Sequence, residues 1–198
     1  MKLFYSINSP YARKCRAVIF EKRLQDRVAL IQVNPMENPP ELLAVNPLGT
    51  VPALITDQGL HLCDSTVICE YLDALSDDTP LYPPQKSREC VLAIAAMADG
   101  MIDAAVACVL EGRRPKEFQY IAWRERKEAA IMRAIAKFAQ ADLSAAPLSI
   151  GTISLAVGLS YVSFRLLHVS WRERHPTLAV WLDNFSMRAS MQQTKPMA

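Results

Sequence analysis

The fold is decided by the stretch Asn46-Pro47-Leu48-Gly49-Thr50-Val51-Pro52-Ala53-Leu54, which is followed along the chain by Asp64-Ser65. Gly49 stands where a tight turn needs a positive φ or a close approach of the backbone. Pro52 has no N–H for a central ladder, so it is expected at the start of a strand over 53–56. If the Val51–Pro52 bond is cis, the N–H and C=O of Val51 turn out of the sheet and can pair with an extended, peptide-like ligand. An ordinary loop that enters a strand is the alternative.

Composition narrows the class of protein. The chain has 198 residues, of which 51% are apolar, and a net charge of +2, so one large or two small domains fit and nucleic acid is not expected as a partner. The apolar run after Met1 is too short for a signal peptide, and the apolar segment 90–110 carries Asp99 and Asp103, which argues against a membrane span. Five cysteines without a C-x-x-C pair and only three histidines predict reduced thiols, no metal site and a cytoplasmic location.

Residues 1–78 predict a thioredoxin-like α/β domain. Ser9 is a favoured N-cap and Pro10 is favoured at the first helical position, so a helix is expected to begin there. Residues 57–59 predict the turn of a hairpin. The expected elements are strand 2–7, a helix from 10, strand 27–33, a short helix 41–45, strands 53–56 and 60–63, and a helix from 65. This β-α-β-(α)-β-β-α order is that of a thioredoxin-like domain.

Residues 79–86 predict a linker, and residues 87–198 predict an all-helical domain. Helices are expected over 87–112, 115–141, 150–169 and 176–188. Ser149 and Thr152 predict a capping box at the start of the third of these helices. The polar segment 192–196 is expected to be loosely held.

Three motifs lie in order before the linker: Ser9-Pro10-Tyr11-Ala12-Arg13-Lys14, the stretch 46–52, and Asp64-Ser65-Thr66-Val67-Ile68-Cys69-Glu70-Tyr71-Leu72. With the linker and the helical half that follows, they resemble the cytosolic glutathione S-transferases, bacterial members above all. The resemblance covers essentially the whole chain. It implies a thioredoxin-like domain that binds glutathione as co-substrate, a helical domain that lines the cleft for the electrophile, and a cytoplasmic homodimer that acts in detoxification without a metal.

The same resemblance implies roles for four residues of the first domain. The backbone of Val51, before a cis Pro52, would pair with the cysteinyl unit of glutathione. Asp64 and Ser65, at a helix N-terminus, would hold the γ-glutamyl end, because backbone amides and a hydroxyl suit its carboxylate and a carboxylate suits its ammonium group. Simple capping of the helix is the alternative for both residues, and capping and binding are compatible.

Ser9 is the candidate activator of the glutathione thiol. A hydroxyl donor beside the positive end of the helix from Pro10 would favour the thiolate, which is the nucleophile. A plain N-cap is the alternative role of Ser9. Tyr5 and Tyr11 stay open as activators, since relatives use Tyr or Cys for this purpose. Cys15 falls on an apolar helical stripe and is expected to lie in the core.

Asp99 and Asp103 share one helix face, and either could line the substrate cleft together with Tyr11 or reach the ammonium group of glutathione bound to a neighbouring subunit. A solvated face or a polar contact between subunits is the alternative. The loop 34–40 has no basic side chain, where relatives often place one for the glycyl carboxylate, and Thr50 stands where Gln or Lys is common. Both departures suggest weaker glutathione affinity or a different thiol ligand.

The leading hypothesis is a glutathione transferase that transfers the bound thiolate to a small apolar electrophile. A non-catalytic glutathione-binding or protein-interaction module on the same fold is the alternative. A glutathione-dependent isomerase or reductase is a third possibility, and the absence of cysteine at positions 8 to 12 argues against a dithiol reductase.

Overall fold

Strand β1 (Lys2–Tyr5) lies inside a mixed sheet whose order is β2-β1-β3-β4. The other strands are β2 (Ala29–Gln32), β3 (Ala53–Ile55) and β4 (His61–Cys63). β1 is parallel to β2 and antiparallel to β3, and β3 is antiparallel to β4. A computed structural model gives this arrangement and describes residues 1–76 and 78–197. Asp77 and Ala198, which belong to the predicted domains 1–78 and 87–198, lie outside the described residues.

Helix α1 (Pro10–Glu21) makes the crossover between the parallel strands, as its position after β1 predicts. Ala12, Cys15, Val18 and Ile19 are at most 1% exposed and form its apolar face. The basic side chains Arg13, Lys14 and Arg16 on its other faces are also buried. The short helix α2 (Pro40–Val45) and helix α3 (Ser65–Asp73) complete the first fold unit, in which α3 packs against α1.

The second unit, Pro83–Ser186, is helical throughout its regular structure. Its helices are α4 (Gln85–Gly112), α5 (Ile121–Ala139), α6 (Ile150–Arg165), the single turn α7 (Trp171–Arg174) and α8 (Pro176–Ser186). The capping box predicted at the start of α6 is present: the Thr152 N–H donates to Ser149 Oγ, and the Ser149 N–H donates to Thr152 Oγ1. Both bonds satisfy amides that the helix leaves unpaired.

Helix α6 is buried on nearly all sides because two glycines let it approach α4 closely. A Cβ at Gly151 would lie 2.9 Å from the Val91 carbonyl oxygen, and one at Gly158 would lie 2.7 Å from Met101 Cε. A methyl group at Gly151 would meet backbone that cannot easily move, and one at Gly158 would require the flexible end of Met101 to shift. The sequence-based expectation that this apolar helix is the centre of the helical unit therefore has a packing reason.

Helix α4 carries the longest apolar segment of the described chain. Over Ser87–Gly112 it is long and apolar enough to cross a membrane, judged by length and composition, with 39% of its most apolar window buried. The core helix of a soluble protein meets the same two conditions. Here α4 packs against both α5 and α6 and buries Ala98, Ile102 and Ala105 completely.

The C-terminal segment Met187–Ala198, which contains α9 (Ala189–Gln193), groups with the first unit, Met1–Tyr82. The sequence pattern predicts instead that this segment belongs to the helical domain and that its polar part, 192–196, is loosely held. Buried side chains of α1 hold it instead: Arg13 Nη2 donates to the Met191 carbonyl (3.2 Å) and Arg16 Nη2 to the Gln193 carbonyl (3.2 Å). Arginines that lose water on folding need such acceptors, and the segment supplies one to Arg13 Nη2 and one to Arg16 Nη2.

Glu21, at the end of α1, also binds the C-terminal segment. Its two carboxylate oxygens accept bonds of 2.8 Å from Arg188 Nε and Nη2, and Ser190 Oγ donates to it as well. Burial alone would raise the pKa of Glu21, but the bonds from Arg188 and Ser190 outweigh it and hold this pKa below its ordinary value. The ion pair is therefore charged at neutral pH.

We predict that Glu21→Gln lowers the free energy of unfolding by about 1–2 kcal/mol near neutral pH, because it removes the charge that a bidentate arginine faces. A group whose pKa is depressed by folding stabilises the protein above its unfolded pKa of about 4.3, and that stabilisation is lost as pH falls through the folded pKa. Urea unfolding should therefore show a difference in the free energy of unfolding between wild type and Glu21→Gln at neutral pH, and this difference should disappear in acid.

The matched control is Glu125→Gln, since Glu125 is exposed on α5 and lies beyond the first turn of that helix. It should leave the unfolding midpoint unchanged at both pH values. A gap between wild type and Glu21→Gln that persists unchanged in acid would show that the carboxylate charge is not what stabilises the segment.

Candidate functional site at one edge of the sheet

The loops that carry the sequence-predicted site residues leave the sheet at the same edge. Phe4 of β1 pairs with Ala53 of β3, and Ala53 pairs with Cys63 of β4. The end of β1, the start of β3 and the end of β4 therefore meet there. Ser9 follows β1, Val51 precedes β3, and Asp64 and Ser65 follow β4, so the topology brings these residues to one edge.

The turn before β3 is held by one buried side chain, Asn46, which is 1% exposed. Its Nδ2 donates to the Thr50 carbonyl (2.9 Å) and to Thr50 Oγ1 (3.0 Å), and its Oδ1 accepts from the Leu48 N–H (3.1 Å). Gly49 has φ +64°, so the predicted left-handed position is present. The sequence analysis did not assign this role to Asn46, although an asparagine that bonds the backbone two residues on is a known turn signal.

Val51 is fixed by its side chain while its main chain stays unpaired. The side chain packs with Phe4, Leu42 and Ala53. The Val51–Pro52 peptide bond is cis, and the ladder with β1 begins only at Ala53. Within the described residues, neither the N–H nor the C=O of Val51 has a hydrogen-bond partner. A well-anchored residue thus presents one donor and one acceptor at the site edge.

Asp64 caps α3 in an uncommon backbone conformation. Its Oδ1 accepts from the Thr66 N–H at 2.6 Å, which is the predicted capping role. Its φ of 52° with ψ of 146° lies where residues other than glycine are rarely found. Such conformations cost about 1–3 kcal/mol and cluster at ligand sites. The first turn of α3 therefore lies at this edge, and the N–H groups of Ser65 and Val67 there have no acceptor within the helix.

Ser65 is the first residue of α3 and is 3% exposed. The Cys15 thiol donates to its carbonyl at 3.6 Å, which connects α1 to the start of α3. A helix of this length concentrates positive potential at its first turn, so the start of α3 suits a carboxylate.

Ser9 is the N-cap of α1, and its Oγ accepts from the Ala12 N–H at 3.3 Å. A hydroxyl that accepts one bond still has its own proton to donate, so the cap and a donor role are compatible. The Tyr5 hydroxyl donates to Gln32 Oε1 (3.2 Å) and its ring lies under the Arg16 guanidinium (4.6 Å). Tyr11 is half-buried on α1. Of the three candidate activators, Ser9 alone is on the loop itself.

Cys15 is completely buried, with its Sγ 3.6 Å from that of Cys69. Burial and this neighbouring thiol raise the pKa of Cys15, so it is a protonated core residue. Asp99, half-buried, and Asp103, exposed, lie on α4 of the second unit. Among residues 1–76 and 78–197, no group of three or more His, Cys, Asp or Glu side chains is placed to hold a metal ion.

The loop 34–40 lies beside the turn at Gly49, since a Cβ at Gly49 would be 3.3 Å from Asn38 Oδ1. It forms a single 3-10 turn over Pro35–Glu37, in which Asn34 Nδ2 donates to Glu37 Oε1 (2.7 Å). The loop thus carries amide and carboxylate groups at the place where relatives often have a basic side chain for the glycyl carboxylate.

The model of the family described as glutathione S-transferase, N-terminal domain, matches residues 8–75. A glutathione transferase family member from Pseudomonas fluorescens Pf-5, solved with bound glutathione, is 36% identical, covers 100% of this chain and 99% of that chain, and superposes with a TM-score of 0.95. A glutathione S-transferase from Methylobacillus flagellatus KT with glutathione bound is 36% identical over 99% of both chains, with a TM-score of 0.88. The GST-like protein YibF of Escherichia coli K12 is 29% identical over an alignment of 202 positions, which covers 99% of this chain and 98% of YibF.

Proposed function

The chain belongs to the glutathione S-transferase family, and we propose that it binds glutathione at the sheet edge and transfers the bound thiolate to a small apolar electrophile. The observation that carries the proposal is the unpaired main chain of Val51. Buried or half-buried backbone groups without a partner are rare, and a peptide ligand in extended conformation supplies both missing partners.

Glutathione fits the neighbouring groups in one direction. With its cysteinyl unit along Val51, its γ-glutamyl carboxylate meets the first turn of α3 and the Ser65 hydroxyl, and its ammonium group meets the carboxylate of Asp64. Relatives that are 36% identical over nearly the whole chain bind glutathione, which supports this choice of ligand. The glycyl carboxylate would face the loop 34–40, whose amides are weaker partners for it than a basic group.

Ser9 is the proposed activator of the thiol. Its hydroxyl proton, together with the positive end of α1, stabilises the thiolate and so raises the fraction of reactive glutathione at neutral pH. The thiolate then attacks the electrophilic carbon and the carbon–sulfur bond forms. In a substitution the leaving group departs with its bonding pair, and in an addition to an enone the π pair moves onto the carbonyl oxygen and solvent protonates the resulting enolate. The solvent takes the thiol proton before attack.

We predict that Ser9→Ala lowers kcat by more than about tenfold with a chloro-nitroaromatic or enone substrate, because a bond to the thiolate is lost. The ultraviolet absorbance of bound thiolate should titrate at a higher pH in this variant. Ser9→Asp separates the two roles of the residue: it keeps the N-cap and restores stability, yet it cannot donate a proton and should stay inactive.

Ser6→Ala is the matched control, since it removes a hydroxyl from the same loop and should leave kcat unchanged. Unchanged kinetics and thiolate titration in Ser9→Ala would remove Ser9 from the mechanism. Retention on immobilised glutathione with no turnover of either substrate by the wild-type chain would favour the binding module over the enzyme.

We also propose that the protein is a homodimer whose contact includes α4. Although α4 packs against α5 and α6, it leaves Met97 40% and Leu110 46% exposed. Apolar side chains on a long helix lose unfavourable contact with water when a second copy covers them. Val67 on α3 is a further exposed apolar side chain, at 48%.

Interfaces of standard size are occupied at about micromolar concentration. Sedimentation equilibrium at that concentration should therefore give twice the chain mass. Met97→Glu should give the monomer mass. Met187→Glu, which changes a methionine that is 76% exposed in the C-terminal segment, is the control and should stay dimeric. A wild-type monomer under these conditions would contradict the proposal.

A further inference from the structure

The second unit contains a cavity of about 630 Å³ between the end of α5, the loop 140–148 and α8. Every residue that lines it belongs to Pro83–Ser186, so it is separate from the site described above. Cavities that hold small molecules have volumes of about 300–1,000 Å³, and this one falls inside that range. No step of the proposed thiol chemistry uses it.

Aromatic side chains form one wall of this cavity. Trp181 and Phe185, one helical turn apart on α8, have ring centroids 5.2 Å apart with an angle of 34° between the planes. Phe138 of α5 and Leu178 of α8 are 5% and 2% exposed and form the floor. Such surfaces favour a flat, apolar ligand, because aromatic faces combine a large contact area with a directional preference.

The residues that line the cavity carry a negative charge and no positive one. Asp142 is the sole ionisable side chain among the lining residues, and the others that are polar are neutral amides and hydroxyls. Its Oδ1 accepts from the Ser144 N–H (3.0 Å) and from Ser144 Oγ (2.6 Å). These two bonds lower the pKa of Asp142, so the carboxylate is ionised at neutral pH.

We propose that this cavity is a binding site for a small aromatic organic cation, which stacks on Trp181 and Phe185 with its positive charge toward Asp142. The face of a tryptophan ring carries negative potential and attracts such a cation, and the carboxylate adds to that attraction. An organic anion of the same shape meets repulsion from both. A neutral analogue gains the apolar contact alone.

Three probes of nearly equal shape test the proposal on the full chain by calorimetric titration: N-methylquinolinium, neutral quinoline and quinoline carboxylate. The cation should bind most tightly, and the anion at least about tenfold more weakly. Asp142→Asn keeps an oxygen for Ser144 and removes the charge, so it should weaken the cation about threefold and leave quinoline unchanged. Trp181→Leu should weaken both the cation and quinoline by about tenfold.

Asp26→Asn and Trp123→Leu are the matched controls, because they make the same chemical changes outside the cavity, at an exposed aspartate of the first unit and a half-buried tryptophan on α5. Neither should alter binding of the cation. Circular dichroism confirms that each variant is folded before titration. Binding of the anion as tight as the cation, no effect of Asp142→Asn on a folded protein, or no binding of the cation at millimolar concentration would each overturn the proposal.

Discussion

The proposed binding of glutathione depends on how the main chain of Val51 is held. The side chain of this residue belongs to the apolar cluster under the sheet, while its N–H and C=O find no partner in the described residues. In the described residues the fold thus leaves one donor and one acceptor available to a peptide-like ligand. A ligand with a free peptide N–H and C=O in register can pair with both groups. Asp64 nearby also has a backbone conformation that is rare for residues other than glycine, and such conformations cluster at ligand sites.

The rest of the first unit positions this edge. Asn46 fixes the turn that leads into Val51, and Cys15 on α1 contacts the start of α3 through the Ser65 carbonyl. Helix α1 is in turn covered by the C-terminal segment, whose carbonyl groups accept bonds from Arg13 and Arg16. The two helix starts that would supply donors in the proposed complex are thus held by side-chain contacts of the first unit itself, and such support is how a site gains preorganisation.

Local signals predicted the parts of the fold that are made locally. Ser149 and Thr152 are three residues apart, and the capping box they predict is present. Gly49 adopts the positive φ expected of it.

Contacts between distant residues were missed: Glu21 and Arg188 are 167 positions apart, and no periodicity links them. The turns α7 and α9 and the role of buried Asn46 were missed as well, because short elements and side-chain bonds depend on tertiary packing more than on propensity. The cavity beside α8 forms from three segments, none of which carries a motif.

The most direct test of the central claim is a crystal structure of this chain in complex with glutathione. We expect an extended tripeptide whose cysteinyl nitrogen lies about 3 Å from the Val51 carbonyl oxygen and whose cysteinyl carbonyl oxygen lies about 3 Å from the Val51 nitrogen. The γ-glutamyl carboxylate should lie at the first turn of α3. Glutathione bound elsewhere on the chain, or bound at this edge with both main-chain groups of Val51 still unpaired, would contradict it.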